Sequence, residues 1–171
     1  MPEPRPDLTN HLAEVWRTVY RLLGNTEDAR ECLQQTFVDA MRIDLDTVQS
    51  WRAVLCQIAT RRAMDLLRKR YRERGSFEPL IADPTHDDPP NAALDYKELC
   101  HRVRESLAAL PDLQGEAFWL RHIEQWSPGE ISRELGIETG HVRVLVHRAV
   151  KHLQQTLNHE SRELLSRRGG S

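Results

Sequence analysis

The stretch Ser127–Val150, SPGEISRELGIETGHVRVLVHRAV, decides how the rest of the chain is read. Ser127-Pro128-Gly129-Glu130 has the form of a capping box with proline at the first helical position. The helix it starts is barely two turns long, with Ile131 and Leu135 on one side. Gly136 can adopt the left-handed conformation that closes this helix, and Ile137 can fold back onto it. A second helix then begins near Thr139, and Val142, Leu145, Val146, Ala149 and Leu153 share a narrow arc of its wheel. Packing of that arc on Ile131 and Leu135 fixes a sharp corner, which is the helix-turn-helix pattern. The outward arc carries Gly140, Val144, His147, Arg148 and Lys151, flanked by His141 and Arg143. Arginine and lysine in such an arc suit phosphates and guanine edges, and Val144 suits a thymine methyl. The same arc also fits a solvated face of a plain helical hairpin.

The chain as a whole favours helices. Of its 171 residues 29% are charged and only 6% aromatic, so its apolar residues are mostly Leu, Val, Ile and Ala. The net charge of −2 means that any contact with nucleic acid must come from local patches. Cys32, Cys56 and Cys100 are odd in number, far apart and without a CxxC pair. There is no signal-peptide pattern and no long apolar run, so the expectation is a reduced, cytoplasmic protein without membrane insertion.

Upstream, Leu8, Leu12, Val15, Val19 and Leu22 form a buried helical stripe that Gly24-Asn25 ends. Thr26 can cap a second helix, with Glu27 and Asp28 placed against its dipole. Its inner face is Ala29, Cys32, Leu33, Thr36, Phe37 and Ala40, and its outer face Glu27, Glu31, Gln34, Gln35 and Asp39. A long helix is expected from Thr47 to about Arg74, with Trp51, Val54, Leu55, Ile58 and Leu66 as its stripe. It is the most basic part of the chain. Arg52, Arg61, Arg62, Arg68, Lys69, Arg70, Arg72 and Arg74 face only Asp65 and Glu73. The segment GSFEPLIADPTHDDPPNAA, residues 75–93, has no helical period and reads as a mobile linker. Beyond it Tyr96, Leu99, Val103, Leu107 and Leu110 make another stripe. Pro111 then opens a helix carrying Leu113, Ala117, Phe118, Leu120 and Ile123. Gly115 in that helix costs about 1 kcal/mol relative to alanine. With no strand signal, the expected fold is all-α: two small helical bundles joined by a flexible linker.

Three pieces of this chain together resemble the bacterial RNA polymerase sigma factors of the extracytoplasmic-function (ECF) group. They are LLGNTEDARECLQQTFVDAM, WRAVLCQIATRRAMDLLRKR and LAALPDLQGEAFWLRHIEQWSPGEISRELGIETGHVRVLVHRAVKHL. The resemblance runs from about Leu8 to Leu157, and the order and spacing of the pieces make it specific. It implies a region 2-like domain over residues 8–74, an acidic, proline-rich linker over 75–94, a region 4-like helix-turn-helix domain over 95–160 and a tail over 161–171. It further implies a protein that binds core RNA polymerase, directs it to promoter DNA and assists duplex opening, with no enzyme activity, cofactor or metal of its own. An anti-sigma factor is a further candidate partner, since many relatives are held inactive by one.

The resemblance also assigns residues. Glu31, Gln34, Gln35 and Asp39 lie on the face that docks on core polymerase in the family. Arg61, Arg68, Lys69, Arg70 and Tyr71 lie on the helix that meets and melts the minus-ten element, where cations track phosphates and aromatics support unstacked bases. Thr139, His141, Arg143, Val144, His147, Arg148 and Lys151 lie on the helix that reads the minus-thirty-five element. Trp51 is read as a core residue. The chain departs from the family pattern at Gln35, Val54, Arg61, Arg62, Glu138, Val144 and Val150. The two exposed valines keep a second class open: a sigma-like decoy that binds an anti-sigma factor without reading DNA. A polymerase-independent helix-turn-helix repressor ranks last, because it leaves the first half without a role. No HExxH, phosphate-binding glycine loop or nucleophile elbow points to an enzyme. Cys100-His101 is an isolated pair, too little for a zinc site.

Overall fold

The computed structural model describes residues 6–74 and 90–168, with side chains over 6–73 and 96–159. Seven α-helices occupy these residues: α1 (Leu12–Leu23), α2 (Thr26–Ala40), α3 (Trp51–Arg74), α4 (Pro90–Ala108), α5 (Asp112–His122), α6 (Pro128–Leu135) and α7 (Thr139–Arg168). No strand occurs among the described residues. Residues 75–89 of the expected linker lie outside them, as do Gly169–Ser171 of the tail. Pro90 already belongs to α4, and α7 continues through most of the segment read as tail.

Local chemistry sets most boundaries. Gly24 closes α1 in the left-handed conformation at φ 66°, donating its N–H to Tyr20 O. Asn25, not Thr26, is the cap of α2: its backbone is extended and its side chain accepts from Glu27 N at 2.8 Å. The long basic helix starts at Trp51 rather than Thr47. Leu45–Thr47 instead form a separate 3-10 turn capped by Asp44, and Val48 leaves it in an extended conformation. The capping box of α6 is complete. Glu130 N donates to Ser127 Oγ at 3.2 Å and Ser127 N donates to Glu130 Oε2 at 2.7 Å. Gly136 ends that helix at φ 65°, and Ile137 N bonds back to Ser132 O.

The apolar stripes pack over most of their length but fail at their outer ends. Val15, Val19 and Leu22 are buried, yet Leu12 is exposed. On α4, Leu107 is buried and Val103 half-buried, whereas Tyr96 and Leu99 face solvent. Trp51 packs against the core as a half-buried residue.

The main departure from expectation is that the two halves share their interior. One cluster joins Val15, Val19, Leu55, Met64 and Leu67 of the first half to Leu107, Leu110, Trp119, Ala149 and Leu153 of the second. Another places Cys56 among Ala117, Leu120, Trp126, Ile131, Val142 and Leu145. Gly115 has its reason here. A methyl group on it would lie 2.3 Å from Met64 Cε and 3.2 Å from an Arg68 nitrogen. The missing side chain lets α5 lie directly against α3, which offsets the roughly 1 kcal/mol that glycine costs inside a helix. Arg104 of α4 completes the seam by donating to the carbonyls of Leu22 and Arg21 at 2.9 and 3.1 Å, at the C-terminus of α1.

Candidate nucleic-acid interfaces

Helix α7 is divided lengthwise. Val142, Leu145, Ala149 and Leu153 are buried, and Val142 and Leu145 join Ile131 in the corner's own cluster. That burial fixes the rotation of the helix. His141, Arg143, Val144, His147, Arg148 and Lys151 consequently face solvent, and Thr139 is half-buried at the first turn. Among the described residues Arg143, Arg148 and Lys151 pair with no carboxylate, so their charges are available to a partner. Val144 is 42% exposed within this cationic arc. Val150 is only half-buried, beside a groove of about 290 Å³ that also includes Arg121, Pro128, Val142, Arg143, Val146 and His147. Arg121 escaped notice in the sequence, and Pro128 was read only as a helix start, because they come from α5 and α6. A helical wheel of α7 cannot show a groove made with its neighbours.

Helix α3 presents its cations unevenly. Arg61 and Lys69 are exposed, whereas Arg68, Arg70 and Tyr71 are partly covered. Arg70 forms an ion pair with Asp28 of α2, and both side chains are largely buried. Burial pushes the Asp28 carboxyl up from its usual range, and the neighbouring Arg70 pulls it back down. Arg68 Nη1 lies 2.9 Å from Asp112 of α5 and 3.4 Å from Asp65. Arg61 Nε lies 3.7 Å from the buried carboxylate of Glu116, which also accepts from Gln57 Nε2 at 3.1 Å. Tyr71 donates its hydroxyl to His101 O at 3.4 Å and stacks on the His101 ring. Burial raises the Tyr71 phenol above its ordinary pKa, so it stays protonated.

On α2, Glu31 and Gln34 are exposed and Gln35 and Asp39 half-buried. The Asp39 carboxylate is held by Arg62 of α3. That pairing explains how an arginine sits amid the apolar stripe of α3: its head reaches across to α2. Cys32 and Cys56 are buried and Cys100 half-buried, and desolvation pushes Cys32 up to about 12. Among the described residues no cluster of metal-binding side chains occurs, and no helix is long and apolar enough to cross a membrane.

Residues 8–73 match the family described as Sigma-70 region 2, and residues 100–153 match Sigma-70, region 4. The ferric citrate uptake sigma factor FecI of Escherichia coli is 31% identical over 139 residues, covering 80% of this chain and 79% of FecI. The ECF RNA polymerase sigma factor SigE of Mycolicibacterium smegmatis is 31% identical over 169 residues, covering 95% of this chain. The chain belongs to the ECF sigma factors.

This sigma factor spans 65% of the length of SigE, so the match does not extend to the whole of that relative. Its fold is similar to that of the sigma factor RpoE in a co-crystal structure with the anti-sigma factor NepR from Bartonella quintana. The TM-score is 0.56 at 20% identity, covering 88% of this chain and 94% of that one. Sigma factors act in transcription initiation as regulatory subunits, not as enzymes. Helices α1–α3 of this one therefore correspond to region 2, and α5–α7 with the end of α4 to region 4.

Proposed function

We propose that this sigma factor binds core RNA polymerase, selects promoters through two separate DNA contacts, and assists strand separation between them. The observation that supports this best is the division of α7, whose apolar arc is locked into the corner while His141, Arg143, His147, Arg148 and Lys151 remain exposed. An arc of this kind enters a major groove, with Arg143 and Arg148 offered to guanine edges or phosphates and Thr139 and Lys151 to the backbone. Val144 offers a methyl contact to thymine.

In the same proposal α3 meets the minus-ten element. Arg61, Arg68, Lys69 and Arg70 supply positive charge, and Tyr71 supplies a ring for an unstacked base. Strand separation is driven by capture of the separated strand, whose bases the cations and ring of α3 would hold. Glu31, Gln34, Gln35 and Asp39 on α2 form the polymerase-docking face, and an anti-sigma factor is a further partner of the same surfaces.

The test is reconstitution of the purified chain with core polymerase, followed by mapping of transcript start sites on genomic DNA. A set of starts sharing two spaced upstream elements supports the proposal. Failure to associate with core polymerase at any ionic strength overturns it. Exposed Val144, beside the largely apolar groove at Val142, Val146 and Val150, keeps one second reading in play, a decoy for an anti-sigma factor. Polymerase binding without promoter-specific starts would favour that reading.

A further inference from the structure

Helix α7 outruns the motif it belongs to. The residues matched to Sigma-70, region 4 end at 153, yet the helix runs on to Arg168. Its rotation is held past that point. Leu153 is buried in the cluster of Leu107 and Leu110, and Thr156 and Leu157 are half-buried on the same side. Gln154, Gln155 and Asn158 are therefore turned outward, and all three are exposed. At helical spacing they continue the arc of Val144, His147 and Lys151, one and two turns beyond Lys151.

Charge marks this surface out. The chain holds 26 aspartates and glutamates among its 171 residues, but none from Thr139 to His159, and the acids resume at Glu160. Exposed helix faces ordinarily mix both signs of charge. This length of helix carries no carboxylate to repel a polyanion, and the gap in acids extends well past the cations Arg143, Arg148 and Lys151.

Length decides what the added turns reach. Thr139–His159 spans about 30 Å at about 1.5 Å per residue. The major groove accepts a helix but winds round the duplex once in about 34–36 Å, so a straight rod of that length leaves the groove before it ends. The N-terminal turns of a recognition helix sit against base edges. The turns carrying Gln154, Gln155 and Asn158 then pass over the groove wall, which is sugar and phosphate. Glutamine and asparagine amides donate to phosphate oxygens and carry no charge.

We infer that Gln154, Gln155 and Asn158 form a second, uncharged contact that grips the DNA backbone just outside the minus-thirty-five element. This rests on the reading of α7 as the helix that meets that element. The contact carries no sequence information and strengthens binding to every promoter alike. It offsets the phosphate contacts that valine at positions 144 and 150 cannot make.

The experiment is ethylation interference with holoenzyme reconstituted from core polymerase and the full chain, on a duplex carrying one mapped promoter. Affinity is measured by anisotropy on the same duplex. For the unaltered chain, ethylated phosphates should interfere inside the minus-thirty-five element and at a few positions just beyond one end of it. The triple variant Gln154→Ala/Gln155→Ala/Asn158→Ala should lose the outer positions and keep the inner ones. It should bind about tenfold more weakly with an unchanged salt slope, because neutral donors release no counterions. Gln155→Lys should tighten binding about threefold and steepen the salt slope by about 1. It decides alone if the triple variant melts early. A triple variant with the interference pattern of the unaltered chain overturns the inference, as does a Gln155→Lys protein of unchanged affinity. Inner without outer interference in the unaltered chain sinks this contact and spares the parent reading. Absence of both sinks the parent reading.

Discussion

Arg70 of α3 and Asp28 of α2 form an ion pair in which both side chains are largely withdrawn from water. This makes Arg70 a structural residue whatever it does for DNA. Removing one partner of a buried pair leaves an uncompensated charge, which costs about 3 kcal/mol or more. Arg70→Ala should therefore lower the melting temperature by roughly 6–12 °C for a chain of this size. Lys69, exposed and 4.0 Å from Glu73, has no such duty. Lys69→Ala should leave the thermal transition unchanged, reduce promoter opening several-fold, and lower the salt-dependence slope of DNA binding by about 1. Circular dichroism melts beside run-off transcription separate the two roles. An Arg70→Ala protein that melts like the unaltered chain would show the pair to be unimportant to the fold.

The Ser127–Glu130 box predicts a local loss. Ser127→Ala should destabilise the second half by about 1 kcal/mol, as loss of an N-cap does. The backbone N–H of Ser127, together with its hydroxyl, holds the Glu130 carboxyl below its usual pKa. For a depressed carboxylate the added stability is present above the unfolded value, and it disappears as the pH falls through the lower folded value. Thermal melts of Glu130→Gln and the unaltered chain should therefore differ at neutral pH and converge in acid, below the ordinary glutamate range, whereas the loss in Ser127→Ala should persist there. A Glu130→Gln difference independent of pH would mean that the reciprocal bond contributes nothing.

What could be read from the sequence was local. The capping box, the left-handed Gly136 and the inward arc from Val142 to Leu153 depend on neighbours within a few residues, and all are as expected. The cap of α2 slipped by one residue because Asn25 and Thr26 are both good cap types, and only the extended backbone at Asn25 decides between them. Leu12, Tyr96 and Leu99 continue their stripes past the point where a partner helix covers them, and periodicity carries no information about where a partner ends. The docking of α5 on α3 was hidden for a related reason. Each helix reads alone as an ordinary amphipathic element, and charges such as Arg68 and Glu116 default to solvent in a sequence reading. Gly115 was the trace left by that interface. Its cost to the helix was legible, but the helix it makes room for was not.

The exposed arc of α7 makes the next prediction. Arg143 is exposed on a helix whose rotation is fixed by buried Val142 and Leu145. A bidentate arginine–guanine contact is worth about 1–3 kcal/mol, so Arg143→Ala should weaken upstream promoter affinity by about 5- to 150-fold. Protection of the minus-thirty-five element in footprints should fade while binding to core polymerase is retained. Arg148→Ala, if it meets phosphate, should weaken binding to all promoters alike and not alter sequence preference. Unchanged footprints for both would move the assignment of α7 from DNA to a protein partner.

Glu116 yields a prediction with an unexpected sign. Burial raises its carboxyl pKa above the ordinary glutamate value. The nearby Arg61 and the Gln57 hydrogen bond pull it back, and Asp65 adds to the rise. A raised folded pKa means that this group's contribution is greatest below the unfolded value and is lost as the pH climbs through the folded one. Ionisation of this carboxylate is thus a net burden on the folded chain, even though it faces a cation, as buried ion pairs often are. Glu116→Gln keeps the size of the side chain and an acceptor for Gln57. It should make the folded chain more stable at pH 8, with the gain shrinking toward pH 4.5. The measurement is the difference in melting temperature between the two proteins across that range. A lower melting temperature for Glu116→Gln at pH 8 would mean that attraction to Arg61 outweighs desolvation.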